Sequence, residues 1–218
     1  MHRALVYTRT AQYRHDSIPA GVAVIDELGR HLGLAIDATE EPGAFTPQQL
    51  ADCRVVVFLS TSGDVLTDEG RSAFGAWVRD GGGFVGVHLA AGTEPSWDFF
   101  GELVGSRFTR HPDLQPAVVT VEDQRHPATQ HLPAQWSFSD EWYEFAPNPR
   151  GSVRVLASVD ERSYEGGTMG PDHPLAWCHE NCGGRSFYTS LGHADAAYAD
   201  PHFRAHLAGA LRWAARLD

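Results

Sequence analysis

Val55-Val56-Val57-Phe58-Leu59 is apolar at every position. A strand with one wet face alternates, so an unbroken run suits a central parallel strand covered on both faces. Working outward, Ala4-Leu5-Val6-Tyr7 and Leu34-Ala35-Ile36-Asp37-Ala38 read as strands before it, and Phe84-Val85-Gly86-Val87-His88 as a strand after it. Helical patterns lie between them. Ile18, Val22, Ile25, Leu28 and Leu32 recur at steps of three and four, with Ser17 as the expected cap and Pro19 in the first turn. Thr46-Pro47 opens a short second helix. Thr67 caps a third, with Asp68 and Glu69 complementing its dipole and Phe74, Trp77 and Val78 facing the core. Strands alternating with helices predict an α/β fold, an open, doubly wound parallel sheet with helices on both faces. Such sheets bind ligands at the carboxyl ends of their strands, near the point where strand order reverses.

The second half is more broken. Residues 117–122, 136–145, 153–159, 175–179 and 185–191 read as strands, several of them alternating, separated by turns such as Asn148-Pro149-Arg150-Gly151. A last helix starts near Pro201 and carries Phe203, Leu207, Leu211 and Ala214 inward. With no repeat or linker in view, residues 1–218 are expected to form one α/β domain with β-rich insertions in its C-terminal half.

Composition narrows the function classes. The chain has 218 residues, 42% of them apolar, and a formal net charge of −11. All 17 basic residues are arginine. An acidic chain has no electrostatic footprint for phosphate backbones, so nucleic acid is not an expected partner. The lack of lysine removes Schiff-base and lysine-nucleophile chemistry. Cys53, Cys178 and Cys182 are too few and odd in number for a disulfide framework, which points to a reducing compartment. No apolar run reaches the ~18 residues of a membrane span, and the N-terminus enters a strand pattern at once, so no membrane role is expected and the default address is the cytoplasm.

Polar residues concentrate where this fold would place a site. Arg14-His15-Asp16-Ser17 ends at a helix N-terminus, which offers free N–H groups to an anion or a carbonyl oxygen. His88 closes a strand at a sharp turn, the geometry that lifts a functional side chain above a sheet. Imidazole there can act as a base, a metal ligand or a hydrogen-bond donor. In Asp140-Glu141-Trp142-Tyr143-Glu144, consecutive carboxylates sit inside an aromatic segment, and strand alternation puts Glu141 and Tyr143 on one face. His193 follows the strand Phe187-Tyr188-Thr189-Ser190-Leu191, and Asp172-His173-Pro174 closes a Gly-rich loop that could cover a ligand. Cys178-His179-Glu180-Asn181-Cys182 lacks a second metal clip and reads as a turn. His111, His126 and His131 are assigned to surface turns.

Taken in order, Arg14-His15-Asp16-Ser17-Ile18-Pro19, Val56-Val57-Phe58-Leu59-Ser60-Thr61, Gly81-Gly82-Gly83-Phe84-Val85-Gly86-Val87-His88, Asp140-Glu141-Trp142-Tyr143, Asp172-His173-Pro174 and Gly184-Arg185-Ser186-Phe187-Tyr188-Thr189-Ser190-Leu191-Gly192-His193 resemble the trehalose-utilization (ThuA-like) family, of the class I glutamine amidotransferase-like fold. The resemblance runs from Ala4 to Ala214. It implies a flavodoxin-like core and a link to disaccharide and keto-sugar catabolism. In amidotransferase relatives the elbow residue is a cysteine; here it is His88, and none of the three cysteines falls at an elbow, so glutamine hydrolysis through a thioester is not expected.

A small-molecule sugar is thus the expected partner, with assembly into a homo-oligomer left open. The leading expectation is acid/base chemistry on a disaccharide or keto-sugar: isomerisation, elimination or hydrolysis. His88, Glu141, His193 and His15 are the catalytic candidates. Arg14, Asp16, Ser17, Asp140, Tyr143 and His173 are the substrate-binding candidates, with Trp142, Tyr143 and Trp97 as stacking surfaces. His88, His193 and Glu141 could also hold a divalent metal such as zinc. A non-catalytic carbohydrate-binding module on the same fold is the alternative. Hydrolysis by two carboxylates would pair Glu141 with an acid such as Glu40 or Asp64.

Overall fold

The apolar run at residues 55–59 forms most of β3 (Cys53–Leu59), and each of those five side chains is fully buried. In the computed structural model, which describes residues 2–217, Val55, Val57 and Leu59 face one core and Val56 and Phe58 another. Helices α1 (Ile18–His31) and α6 (Pro201–Ala214) cover the first face. Helices α2 (Pro47–Ala51), α3 (Asp68–Arg79) and α4 (Asp98–Val104) cover the second. Burial on both sides is why the sequence does not alternate there.

Around β3 lie β1 (His2–Tyr7), β2 (Leu34–Thr39) and β4 (Gly83–Val87), then β11 (Ser186–Thr189), all parallel to one another. The remaining strands are β5 (Arg107–Arg110), β6 (Gln115–Val121), β7 (Gln135–Asp140), β8 (Glu144–Ala146), β9 (Arg154–Val159) and β10 (Pro174–His179). The nine-stranded sheet runs β2-β1-β3-β4-β11-β10-β9-β6-β7, while β5 and β8 pair apart from it. Helix α5 (Asp195–Ala199) precedes α6.

The expected parallel sheet is therefore corrected to a mixed one. β10 meets β11 antiparallel, and β9, β6 and β7 continue in antiparallel pairs, so the C-terminal strands extend the same ladder rather than project from it. The reason is connection length: the short segment between β10 and β11 allows a hairpin and is too short for a crossover. β7 shows the strict burial alternation of a strand with one wet face.

Three local expectations also change. The strand expected over residues 136–145 breaks after Asp140, whose carboxylate accepts the next amide, Glu141 N–H, at 2.8 Å and so takes residues 141–143 out of the ladder. Helix α4 and strand β5 were not expected. Ser17 sits at the N-cap of α1 but makes no side-chain cap bond; its hydroxyl donates instead to the Gly192 carbonyl at 3.3 Å. Thr46 and Thr67 do cap α2 and α3 through their hydroxyl oxygens. Among the described residues, no helix is long and apolar enough to cross a membrane.

Candidate active site

Parallel strands end on one edge of the sheet, so the loops that follow them converge. The loop after β1 carries His15, the turn after β4 begins at His88, and the loop after β11 carries His193. β7 runs in the same sense as β11, and its end delivers Glu141 to the same edge. One ligand atom from each of His15, His88, Glu141 and His193 lies within 4.8 Å of all the others. Residues far apart in the chain thus share one point.

His88 is the centre. Its backbone is left-handed, with φ 54°, a conformation that costs roughly 1–3 kcal/mol and turns the ring over the strand end. Two contacts hold it there: the Tyr188 hydroxyl donates to the His88 carbonyl at 2.7 Å, and His88 Nδ1 lies 2.7 Å from the Ser190 carbonyl. A carbonyl only accepts, so Nδ1 carries a proton and the neutral ring turns the Nε2 lone pair toward the site. That nitrogen lies 3.0 Å from His15 Nε2, 2.8 Å from the Tyr143 hydroxyl and 3.6 Å from Glu141 Oε2. Two N–H or O–H donors thus compete for one lone pair.

The electrostatics sort the roles. Burial, with His88 and His193 nearby, pushes His15 down to about 3, so it is neutral at physiological pH. Its Nδ1 is buried with no partner. Burial alone would raise the Glu141 carboxyl, but the His193 and His88 imidazoles beside it outweigh that and hold the group well below the usual carboxylate range. The same contact raises His193, whose Nδ1 is 3.0 Å from Glu141 Oε2. Burial pushes the Tyr143 hydroxyl far up, so it keeps its proton.

This donor set can hold a divalent metal. A tetrahedral ion with bonds of about 2.0–2.1 Å keeps its ligands roughly 3.4 Å apart. The separations of 3.0 Å between His15 and His88 and 3.6 Å between His88 and Glu141 bracket that edge length. The bond from His88 Nδ1 to a backbone carbonyl is the outer-shell contact that orients a metal-binding imidazole.

The substrate-binding candidates divide. Asp16 is exposed and lines a depression of about 370 Å³ with Tyr13, His15, Ser17 and His193. Tyr143 reaches the centre through its hydroxyl. Arg14 does not: its guanidinium is held by Glu40 at 2.7 Å and the Thr8 carbonyl at 2.8 Å. Asp140 is 1% exposed, and its oxygens accept from Gly192 N–H at 2.7 Å, His193 N–H at 3.2 Å and Glu141 N–H. It therefore ties two site loops together instead of meeting a ligand. His173 is fully buried between the Glu161 carboxylate and the Tyr143 carbonyl, each at 2.8 Å, and so supports Tyr143 from beneath.

Trp142 and Tyr143 are too buried to serve as stacking surfaces, and Trp97 packs on Phe99 and Phe100. Glu40 and Asp64 are engaged by Arg14 and Arg71, so neither of these two acids is free to pair with Glu141 for two-carboxylate hydrolysis.

Two residues of the site went unread in the sequence. His111, assigned to a surface turn, stacks on Tyr143 and places Nδ1 3.5 Å from Glu141 Oε1. Nothing local marks it, because β5 reaches the site only through its pairing with β8. Tyr13 stands at the mouth, and its position two residues before His15 was the available signal.

Residues 3–214 match the family model described as ThuA, trehalose utilisation. Among solved structures, a ThuA-like protein from Bacteroides uniformis ATCC 8492 superposes with a TM-score of 0.83 at 28% identity, covering 98% of this chain and 91% of that one. A ThuA-like protein from Parabacteroides merdae ATCC 43184 gives 0.80 at 21% identity, covering 98% and 90%. A β-galactosidase from Rahnella sp. R3 is similar over 100% of this chain and 32% of its own, with a TM-score of 0.65 at 13% identity, a likeness of fold alone. No curated protein matches the sequence.

Proposed function

The chain belongs to the trehalose-utilisation family, and from that premise we propose that it is an enzyme that moves protons on a sugar or keto-sugar. Its proposed working centre is His15, His88, Glu141 and His193, with a divalent metal such as zinc held by the imidazoles. The observation that carries this reading is the meeting of one ionised carboxylate with three imidazoles at the carboxyl edge of the sheet. A ketone acidifies the neighbouring C–H, so isomerisation or elimination needs a base, a proton donor and a group to stabilise the developing oxyanion. Glu141 is ionised and can take the proton. Tyr143 keeps its own proton and can donate a hydrogen bond to an oxygen beside His88. A divalent ion, when bound, would polarise a carbonyl or hydroxyl oxygen.

The test combines metal analysis of the purified protein with sugars in D2O followed by NMR. The panel holds oxidised and unoxidised mono- and disaccharides, with and without chelator. The expected result is metal bound to the chain, with deuterium entering a keto-sugar at the carbon beside the ketone, and loss of both on chelation. Sugar binding with no exchange and no product would instead leave a binding module.

A further inference from the structure

The depression beside His15 and His193 has an unusual rim. Tyr13 is 62% exposed, one of two large apolar side chains so placed among the described residues. Its loop is nonetheless fixed: Ala11 N–H donates to the Ser62 carbonyl at 2.8 Å, and the Ser62 hydroxyl donates to the Tyr13 carbonyl at 2.8 Å. The ring meets His15 edge to face at 4.7 Å and leaves most of its surface in water. An ordered aromatic ring held open at the mouth of a polar site is a stacking surface awaiting an apolar partner face.

The charges of the rim point the same way. Asp16 and Asp195 both line the depression, both are exposed, and among the described residues neither takes part in an ion pair. Of the cations in the same loop, Arg14 is paired with the Glu40 carboxylate at 2.7 Å and Arg9 reaches the Glu40 backbone carbonyl at 3.5 Å, and neither lines the depression. Arg110, on the far side of His111, is held by Glu144 at 2.7 Å. An anionic ligand would meet two carboxylates without an ion-pair partner, while no guanidinium lines the depression, so like charges would face each other. A neutral ligand rich in hydroxyls would meet two hydrogen-bond acceptors and one flat apolar face.

We propose that the depression receives an uncharged, hydroxyl-rich ligand, a free sugar rather than a sugar phosphate or sugar acid. Tyr13 is its stacking face, and Asp16 and Asp195 are both its hydroxyl acceptors and the charges that exclude anions. The proposal rests on the sugar reading of the site and adds the class of sugar and the residues that choose it. Attraction to the favoured class and repulsion of the wrong one work together, as specificity requires.

The test titrates metal-replete protein with glucose, methyl glucoside and maltose, and in parallel with glucose 6-phosphate, glucuronate and inorganic phosphate, by calorimetry and ligand-observed NMR. Wild type should favour the neutral sugars by about tenfold or more. Tyr13→Ala should weaken neutral-sugar binding about tenfold, and Tyr13→Phe, which keeps the ring, should recover most of the loss. Asp16→Asn with Asp195→Asn should narrow the gap between neutral and charged sugars. All three side chains are exposed, so Tm and metal content should stay at wild-type values, and these readouts separate recognition from folding. Equal or tighter binding of the phosphorylated or acidic sugars, or an unchanged affinity in Tyr13→Ala, would overturn the inference while leaving the sugar reading standing. Failure of every sugar to bind, the oxidised mono- and disaccharides included, would overturn both.

Discussion

The parallel half of the sheet, β2, β1, β3, β4 and β11, and its antiparallel half, β10, β9, β6 and β7, bring different chemistry to the same edge. The parallel half supplies imidazole: His15, His88 and His193 each follow a strand of the parallel set. The antiparallel half supplies oxygen, with Glu141 and then Tyr143 leaving the end of β7. In a parallel sheet every strand ends on one edge, so its loops converge without further design. In the antiparallel half only alternate strands end there, and a residue reaches the site only if its strand has the right sense. The centre lies where loops from the two halves meet, a seam of loops rather than of neighbouring strands, and each half can be broken separately.

The largest effects should come from removing one contribution from each side. His88→Ala and Glu141→Gln should each lower turnover of the keto-sugar by more than about 100-fold, the scale of losing a positioned acid or base. The double variant should cost little more than either single one, because groups acting as a unit are not additive. Steady-state kinetics on folded variants decides this, and strictly multiplicative losses would argue against one shared centre.

A smaller effect should follow from loosening the seam. Asp140 accepts amides of Glu141, from the antiparallel side, and of Gly192 and His193, from the parallel side. Gly192 suits this junction: its φ is 119°, and a Cβ there would lie 2.8 Å from the Tyr198 hydroxyl. Asp140→Asn should weaken metal affinity by about 10–100-fold, as loss of an outer-shell contact does. Competition with a calibrated chelator measures it, and wild-type affinity in a well-folded variant would remove Asp140 from this role.

The smallest effect is a pH dependence far from the site. His206 on α6 donates Nδ1–H to the Ala128 carbonyl at 2.8 Å, and Ala128 N–H donates to His126 Nδ1 at 3.1 Å, which ties the β6–β7 connection to α6. Burial lowers both imidazoles to about 4. Between that value and an ordinary histidine value near 6.5, the unfolded chain binds more protons, so stability rises with pH across the window and is lost as pH falls through it. Urea unfolding should show a loss on the order of 1–3 kcal/mol from pH 6.5 to 4, and His206→Gln should flatten it. An unchanged slope in His206→Gln would assign the acid limb to other groups.

Much of the parallel half was readable from residue pattern. The run at residues 55–59, the stripe from Ile18 to Leu32 and the caps Thr46 and Thr67 are local signals, and local signals survive folding. His15, His88 and His193 were legible for the same reason, because each lies at the end of a readable element. Glu141 was found from an unusual pair of carboxylates, but the break in the strand that frees it comes from a side-chain bond of Asp140. His111 and Tyr13 carried no such mark. Arg14 and His173 looked available because their partners, Glu40 and Glu161, lie 26 and 12 residues away.

What the sequence by itself determined is the set of elements and which residues end them, since periodicity, capping and chain turns act over a few neighbours. What only the tertiary structure decided is direction and partnership: that β7 runs with β11, that Asp140 faces amides rather than a ligand, and that His111 leans on Glu141. Those facts depend on strand sense and on contacts between distant segments, where the order of residues along the chain places no constraint on which side chains meet.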